Sequence, residues 1–323
     1  MYRIDDQTAA TSLPVPELAG TEGYFTEGNP ATGTPATIVR GSWMNMIQEE
    51  LCSILAAAGI VRSKTTYNQV NAALKSMYSP VIGSVRNLAM NIPAASATAT
   101  LTADQIIVGS ALSGQTFVLS NFNKSINLGG TGAGGMDTGS APANGSVAIY
   151  AIYNPTTGAT ALLGYSEGAV TPAPTTYPGS NMPAGYTASA LVSALLTNAS
   201  GQMQPVVQVD REISIVTSLF AQTSTQIASL TQGTIGVPRC AKTISGWGSV
   251  NTVNGVNSQV NIAGTATNIG GQQIAGASST SGVTVGGRFT NIPLVTPQKY
   301  YWSALLSAGT FNQANLYNTS YTI

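Results

Sequence analysis

The pattern of hydrophobic and polar positions changes character twice along the chain. Residues 1–40 have no period. Turn-forming residues recur every few positions, as in Leu13-Pro14-Val15-Pro16 and Gly28-Asn29-Pro30-Ala31-Thr32-Gly33-Thr34-Pro35, which argues against helix. The large apolar groups there (Leu13, Leu18, Tyr24, Phe25) are too sparse for a core of their own. Such a segment is either a floppy leader, which composition alone favours, or an arm that orders against a partner. From residue 42 the period becomes helical. Trp43, Met46, Ile47, Leu51, Ile54, Leu55 and Ala58 recur at three- and four-residue spacing and predict a helix over 42–58, with Ser42 as N-cap and Gly59 just past its end. Tyr67, Val70, Leu74 and Met77 predict a second helix over 67–78, opened by a Thr66–Gln69 capping box and ended by Pro80. Two such helices form a hairpin that packs stripe against stripe.

From residue 81 the helical period disappears. Runs of β-branched and aromatic residues at 106–108, 116–119, 147–153, 160–165, 202–209 and 212–219 are separated by turn clusters and predict strands. The clearest hairpin joins 147–153 to 160–165 through Asn154-Pro155-Thr156-Thr157-Gly158, where Pro suits the first turn position and Gly the left-handed one. The run 147–153 is apolar on both faces, so both are expected to be covered, by a second sheet or by another subunit. Two loops are long: 129–145, with Gly129-Gly130-Thr131-Gly132-Ala133-Gly134-Gly135, and 170–185, with four prolines. The glycines do not form a phosphate cradle, since no Gly-Lys-Ser/Thr follows, and a flexible surface loop is expected. Residues 213–230 carry Ile213, Val216, Phe220, Thr223, Ile227 and Leu230 at coiled-coil spacing but lack flanking charge pairs; β-strand fits their Ser/Thr-rich composition better. Further short strands at 243–247, 259–263, 282–289, 300–306 and 317–323 suggest a sandwich or jelly roll. The expected fold is mainly β with a small N-terminal α-helical hairpin. Its parts are an extended arm (1–40), the hairpin (41–80), and two β-sandwich or jelly-roll-like domains (81–212 and 213–323).

Composition narrows the chemistry. The 323 residues include 12 Lys+Arg, 12 Asp+Glu, no His and 2 Cys. Charged residues are 7%, against about 25% in ordinary soluble domains, with Gly, Ser, Thr, Asn, Gln and Ala in their place. Without a basic excess, nucleic acid is a poor partner. Without His there is no Ser-His-Asp or Cys-His nucleophile and no His-ligated zinc site; no cofactor or metal is expected. Cys52 and Cys240 form no CxxC and read as two reduced thiols. No charged n-region precedes an apolar run, and the longest apolar stretch (54–61) is far short of the roughly 20 residues of a membrane span, so a soluble protein of a reducing cytosol is expected, without membrane insertion.

Seven carboxylates lie in the first 50 residues; the rest are Asp104, Asp137, Glu167, Asp210 and Glu212. Residues 213–323 contain no acid, only Arg239, Lys242, Arg288 and Lys299. A glycosidase needs two carboxylates about the scissile bond, so this part is not a hydrolase. Asp210 and Glu212, two apart, would share one face of a strand and read as a solvated edge. Residues 213–323 are expected to fold alone as a β-rich trimer, indifferent to pH between 4 and 8, for want of groups titrating there.

One segment is familiar. Gly23-Tyr24-Phe25-Thr26-Glu27-Gly28-Asn29-Pro30-Ala31-Thr32-Gly33-Thr34-Pro35-Ala36-Thr37 resembles the leader of tailed-bacteriophage tail fibre proteins. In that family it precedes a helix with Trp and Gln-Glu-Glu, here Trp43 and Gln48-Glu49-Glu50, ending in Ala-Ala-Gly-Ile, here at 57–60. Residues 147–158 and 181–191 (Asn181-Met182-Pro183-Ala184-Gly185-Tyr186-Thr187-Ala188-Ser189-Ala190-Leu191) resemble a β module of phage and prophage tail proteins. Together these resemblances cover about residues 1–210. They imply a homotrimeric, non-enzymatic virion fibre made in the host cytoplasm, although this chain departs from longer fibres of the family in having no extended shaft. Residues 1–40 then become an arm on the tail, baseplate or adaptor protein, with Tyr24, Phe25, Asn29, Pro30, Pro35 and Trp43 as its attachment residues. The distal domain points outward. There Trp247, Arg288, Tyr300, Trp302 and Tyr317, with Tyr301, Tyr321 and Lys299 nearby, are candidates for stacking on, or pairing with, a host surface polysaccharide, although any one aromatic can instead serve the core. Two other functions stay open: a purely structural adaptor that docks another fibre or tailspike, and, more remotely, a polysaccharide depolymerase using the five scattered acids.

Overall fold

The computed structural model describes residues 1–78, 80–112, 114–168, 171–275 and 283–323; the expected strand start at Gly282 and loop start at Val170 lie outside them. The chain forms two compact units, Met1–Ser79 and Pro80–Ile323.

The first unit holds a 3₁₀ turn, Pro30–Thr32, and two helices, α1 (Gly41–Ala57) and α2 (Gln69–Met77). The helices lie where their apolar periods place them and pack on each other; their termini differ from expectation. Ser42 lies within α1 and its hydroxyl donates to Glu17 at 3.0 Å, while Arg40 is the N-cap and caps nothing with its side chain. The Thr66–Gln69 capping box does not form. Gln69 is buried and must satisfy its amide: the oxygen accepts from the Ser63 N–H (3.0 Å) and the Met1 amino group (2.5 Å), and the nitrogen donates to the Val61 carbonyl (2.7 Å). Thr66 donates to Ser63 instead. Gly59 has φ +67°, and the Ile60 N–H returns to the Leu55 carbonyl, a left-handed helix ending as expected. Among the described residues of this unit only Cys52, Leu55 and Ala73 are buried apolar groups. The unit encloses almost no core.

The second unit is all β. Its strands are β1 (Val85–Arg86), β2 (Ala89–Ile92), β3 (Thr98–Gly109), β4 (Thr116–Asn127), β5 (Ser146–Tyr153), β6 (Thr160–Ser166), β7 (Ala188–Leu196) and β8 (Val206–Val209), followed by β9 (Glu212–Thr223), β10 (Ile227–Thr234), β11 (Thr243–Val256), β12 (Gln259–Ala263), β13 (Gln272–Ala275), β14 (Val283–Pro293), β15 (Lys299–Leu305) and β16 (Ala308–Thr322). One sheet has the order β14-β11-β16-β9-β8-β2-β3-β7-β5-β6, with β1 and β4 also on β3; the other has the order β10-β15-β12-β13. Pairing between these strands is antiparallel throughout. The protein is mainly β with a small helical part. Residues 213–230 form no coiled coil but belong to two strands, β9 and β10, of different sheets, with a turn at 224–226. The sheet runs without interruption through residue 212, because β9 pairs with β8 on one side and β16 on the other. One apolar core joins Leu101, Ile149 and Val206 to Ile213, Ile244, Trp302 and Tyr321.

The 153–160 hairpin forms as its residues dictate. Asn154 Oδ1 accepts from the Thr156 and Thr157 N–H groups, and Gly158, at φ +74°, donates back to the Asn154 carbonyl. Both faces of β5 are buried, but neither a second sheet nor another subunit supplies the outer cover. Val147, Ile149 and Ala151 enter the main core, while Ala148, Tyr150 and Ile152 meet Ala173, Tyr177, Met182 and Tyr186. This cover is the proline-rich segment 171–187. It is tied down by Tyr150 Oη donating to the Pro174 carbonyl (2.8 Å) and by Leu191 N–H donating to the Thr175 carbonyl (2.8 Å). The two-sided apolar pattern of β5 is therefore satisfied within one chain and calls for no trimer. The glycine loop is likewise no flexible surface loop. Gly134 N–H donates to Leu162, Gly164 N–H to Gly135, and Asp137 N–H to Gly164, which seats Met136 fully buried in the core. A Cβ on Gly164 would lie 2.8 Å from Met136 Sδ, so glycine is what allows this close approach.

Candidate functional site

At the N-terminal end, Asn29 organises a tight loop. Its Oδ1 accepts from the Ala31 N–H at 3.0 Å, Pro30 supplies the fixed φ at the head of the 3₁₀ turn, and Gly33 ends it at φ +70°. Asn29 and Thr34 bridge across it, and the Thr37 N–H donates to the Thr26 carbonyl. Asn29 and Pro30 thus shape the loop, and Pro35 follows its closing residue Thr34. The contact surface comes from its flank: Tyr24 is 99% exposed, and the Phe25 ring meets Trp43 of α1 edge-on at 4.9 Å. A groove of about 970 Å³ runs between arm and helix, lined by Leu13, Leu18, Tyr24, Phe25, Ile38 and Trp43 among others. Two ion pairs tie this segment to α1 and to the loop between the helices, Arg3–Glu49 (2.5 Å) and Lys64–Asp5 (2.7 Å), and a third, Arg40–Glu17 (3.3 Å), lies within the segment at the head of α1. Arg3 lies on both carboxylate oxygens, and this hydrogen bonding holds Glu49 below the usual carboxylate range. Glu17 is lowered by its own backbone N–H, then by Ser42, and Asp6 by Thr8.

Of the five distal candidates, the structure brings three together. Trp247 on β11 lies opposite Arg288 on β14 and opposite Tyr317 on β16. The Trp247 and Tyr317 rings stack at 4.0 Å and 12°, with Trp247 37% exposed and Arg288 exposed. Tyr300 and Trp302 do not join them. At 2% and 6% exposure they are core residues, because alternate positions of β15 face inward. Phe220 packs edge-on to Tyr300 at 4.9 Å. Tyr321 is also core, its hydroxyl donating to the Ala194 carbonyl at 2.7 Å, and Lys299 donates to Thr234. Neutral polar side chains flank the row. Asn251 Nδ2 donates to Thr284 (2.7 Å), Asn312 to Asn251 (2.7 Å) and Gln222 to Asn315 (3.0 Å). Their composition gave no signal singly; the strand register is what gathers them.

The five acids of the depolymerase reading are engaged separately. Asp104 accepts from Asn87 (2.6 Å), Asp137 from the Tyr177 hydroxyl (2.7 Å), Asp210 from the Leu88 N–H (3.0 Å) and Glu212 from Ser320 (2.9 Å). Asp210 sits in the β8–β9 turn at φ +50°, so it shares no strand face with Glu212. Glu167 is buried and accepts four hydrogen bonds, from the N–H groups of Ala173 (3.1 Å), Arg239 (2.6 Å) and Cys240 (2.8 Å) and from the Ser146 hydroxyl (2.8 Å). Burial, and then the adjacent Glu167, push the Cys240 thiol well up. Cys52 and Cys240 are both free and buried.

No protein-family profile matches the chain. The uncharacterized protein StfP of Escherichia coli strain K12 is 39% identical over 77 residues, 24% of this chain and 35% of that protein. The Mu-like prophage FluMu defective tail fiber protein of Haemophilus influenzae strain Rd is 32% identical over 78 residues, 24% of this chain and 12% of that protein. The matches thus span little more than a third of one relative's length and about an eighth of the other's. A quarter of the chain is related to a prophage tail fibre protein. Among the described residues no helix is long and apolar enough to cross a membrane.

Proposed function

We propose that this chain is a structural, non-enzymatic tail fibre subunit of a phage or prophage virion. Residues 1–40 attach it to the tail, baseplate or an adaptor protein, and the β unit faces the host surface. The relation to a tail fibre protein supports the role coarsely. The observation that carries the finer reading is the contrast between the units. The β unit encloses a large apolar core, though side chains such as Val207, Val209 and Val216 stay exposed on it, whereas in the first unit only Cys52, Leu55 and Ala73 are buried apolar groups among the described residues and Val15, Leu18, Tyr24, Ile38 and Met46 stand exposed. Contiguous exposed apolar surface of this kind marks a site completed by another protein. The three surface ion pairs are exposed and screened by solvent, so they add little stability by themselves.

The dispersal of Asp104, Asp137, Glu167, Asp210 and Glu212 into separate contacts supports a binding role over hydrolysis. Homotrimerisation belongs to the proposal and rests on the family resemblance and on the open first unit, not on β5. Immunoelectron microscopy of intact particles with an antibody against residues 213–323 is the test. Labelling at free distal tips supports host attachment; an epitope hidden beneath another protein supports the adaptor function; absence from the particles overturns the proposal. Light scattering at micromolar concentration tests the trimer, and a monomer rejects it.

A further inference from the structure

Arg288, Trp247 and Tyr317 stand in one row across three adjacent strands. Adjacent strands lie about 4.8 Å apart, and the two rings stack at 4.0 Å. The rings therefore stand on edge, Tyr317 covering one face of the indole while the other turns toward β14 and Arg288. Two residues before Arg288 on the same face is Gly286, opposite Ser249, so no side chain rises beside Arg288 there. Asn251 with Thr284 and Asn312, and Asn315 with Gln222, supply fixed neutral donors and acceptors around the row. Among the described residues no carboxylate pairs with Arg288. Residues 213–323 contain no acid, and Glu212, on the far end of β9, is seven residues from Leu219, the next member of the row, or roughly 20 Å along the strand.

We propose that this row is a subsite for an acidic saccharide. A hexuronate ring lays its C–H face on the open face of Trp247, and its carboxylate pairs with the Arg288 guanidinium. Three features select this ligand. A planar guanidinium matches a carboxylate in a two-point contact. An upright aromatic pair of fixed geometry suits the flat apolar face of a pyranose. Neutral amides and hydroxyls suit sugar hydroxyls and do not compete for the cation. The subsite rests on the reading of the β unit as the host-facing part, and it specifies the chemistry of what that part meets.

Calorimetric titration of the full chain with oligogalacturonate and with its methyl ester of equal length tests the proposal, because the two probes differ in charge and little in shape. The wild-type chain should prefer the acid, and 0.5 M NaCl should erase the preference by screening. Arg288→Gln should weaken the acid about tenfold or more and leave the ester unchanged, as befits loss of a charge-assisted hydrogen bond. Trp247→Ala should weaken both probes. Trp247 and Arg288 lie on the surface, and an unchanged melting temperature verifies that the variants fold. Equal binding of acid and ester overturns the assignment of an anionic ligand. Binding of neither probe by the wild-type chain, or binding unaffected by both substitutions, overturns the subsite. Virion labelling makes no reference to Arg288, so the fibre role and this subsite fail separately.

Discussion

Glu167 carries an unusual share of the fold for one surface-type residue. Its two oxygens take three backbone N–H groups and one hydroxyl, linking β5, the segment after β6 and the loop at 239–240. Glu167→Ala leaves four donors, three of them backbone N–H groups, short of an acceptor in a closed site and should cost about 3 kcal/mol or more, read as a lower urea midpoint with the slope unchanged. Glu167→Gln keeps the shape but turns an amide donor toward donors, and should recover only part of that loss. Cys240 offers a local probe. Its thiol is buried and shifted upward, so maleimide should fail to label it in the native wild-type chain and should label it faster in Glu167→Ala. None of this was legible in the sequence, where Glu167 is one of five isolated acids and its partners lie as far as 73 positions away. Trp247, Arg288 and Tyr317 were legible as residue types with the right chemistry. Their meeting, and the withdrawal of Tyr300 and Trp302 into the core, depended on register that composition does not encode.

Local signals were read well at the scale of elements. The helices and the 153–160 hairpin depend on residues a few positions apart, and they appear where those residues place them. Many strands run longer than their apolar runs predict, and β1, β2, β7 and β13 carry no predicted run at all. Thr98, Thr100 and Thr102 of β3 alternate exposed with buried Ala99, Leu101 and Ala103, and the polar half of each such strand passes for loop when seen alone. Covering segments were missed for a different reason. The glycine-rich and proline-rich stretches look unstructured by local rules, yet their backbone groups pair with β6 and β7. Met136→Ala should cost about 2–5 kcal/mol, as a fully buried methionine does. Tyr150→Phe should cost about 1 kcal/mol through loss of the bond to Pro174 and loosen the proline-rich cover. Hydrogen exchange at Leu191, whose N–H bonds the Thr175 carbonyl, reads that loosening directly.

As a whole molecule, the two units should respond to pH on opposite sides of neutrality. Burial raises the tyrosines Tyr150, Tyr177, Tyr300 and Tyr321 above their ordinary value in the β unit. The native state therefore holds these protons more tightly than the unfolded chain does. The stability they lend is complete below about pH 10 and lost as pH rises beyond it. Urea midpoints measured from pH 8 to 11 should fall, first gently as the thiol of Cys240, also raised by burial, ionises in the unfolded chain above about 8.5, and more steeply above about 10 through the tyrosines. In the first unit Asp6, Glu17 and Glu49 are lowered, so their small contribution is present above the ordinary carboxylate range and disappears as pH falls through and below about 4. The expectation that residues 213–323 fold independently of the rest fares differently. Glu167 and Glu212 accept hydrogen bonds from Arg239, Cys240 and Ser320 across that position, so the isolated segment should lose stability relative to residues 80–323. Limited proteolysis should remove residues 1–78 from the free chain before cutting the β unit, because only three of the first unit's described apolar groups are buried.

The position of β16 has a consequence for how the chain is made. β9 and β11 do not pair with each other; β16 lies between them and pairs with both. A ribosome delivers about fifty residues between the end of β11 and the start of β16, which at about 5–20 residues per second takes roughly 3–10 s. Throughout that interval β9, held by β8 along its first residues only, and β11, which has β14 on its other side, each leave open the edge that β16 will fill; both strands are nearly free of charge, and unpaired strand edges of this kind recruit other chains. Synthesis is the hazardous moment for this protein. Slowed translation between codons 257 and 307 should divert it to inclusion bodies, while the same delay before codon 212 should be harmless.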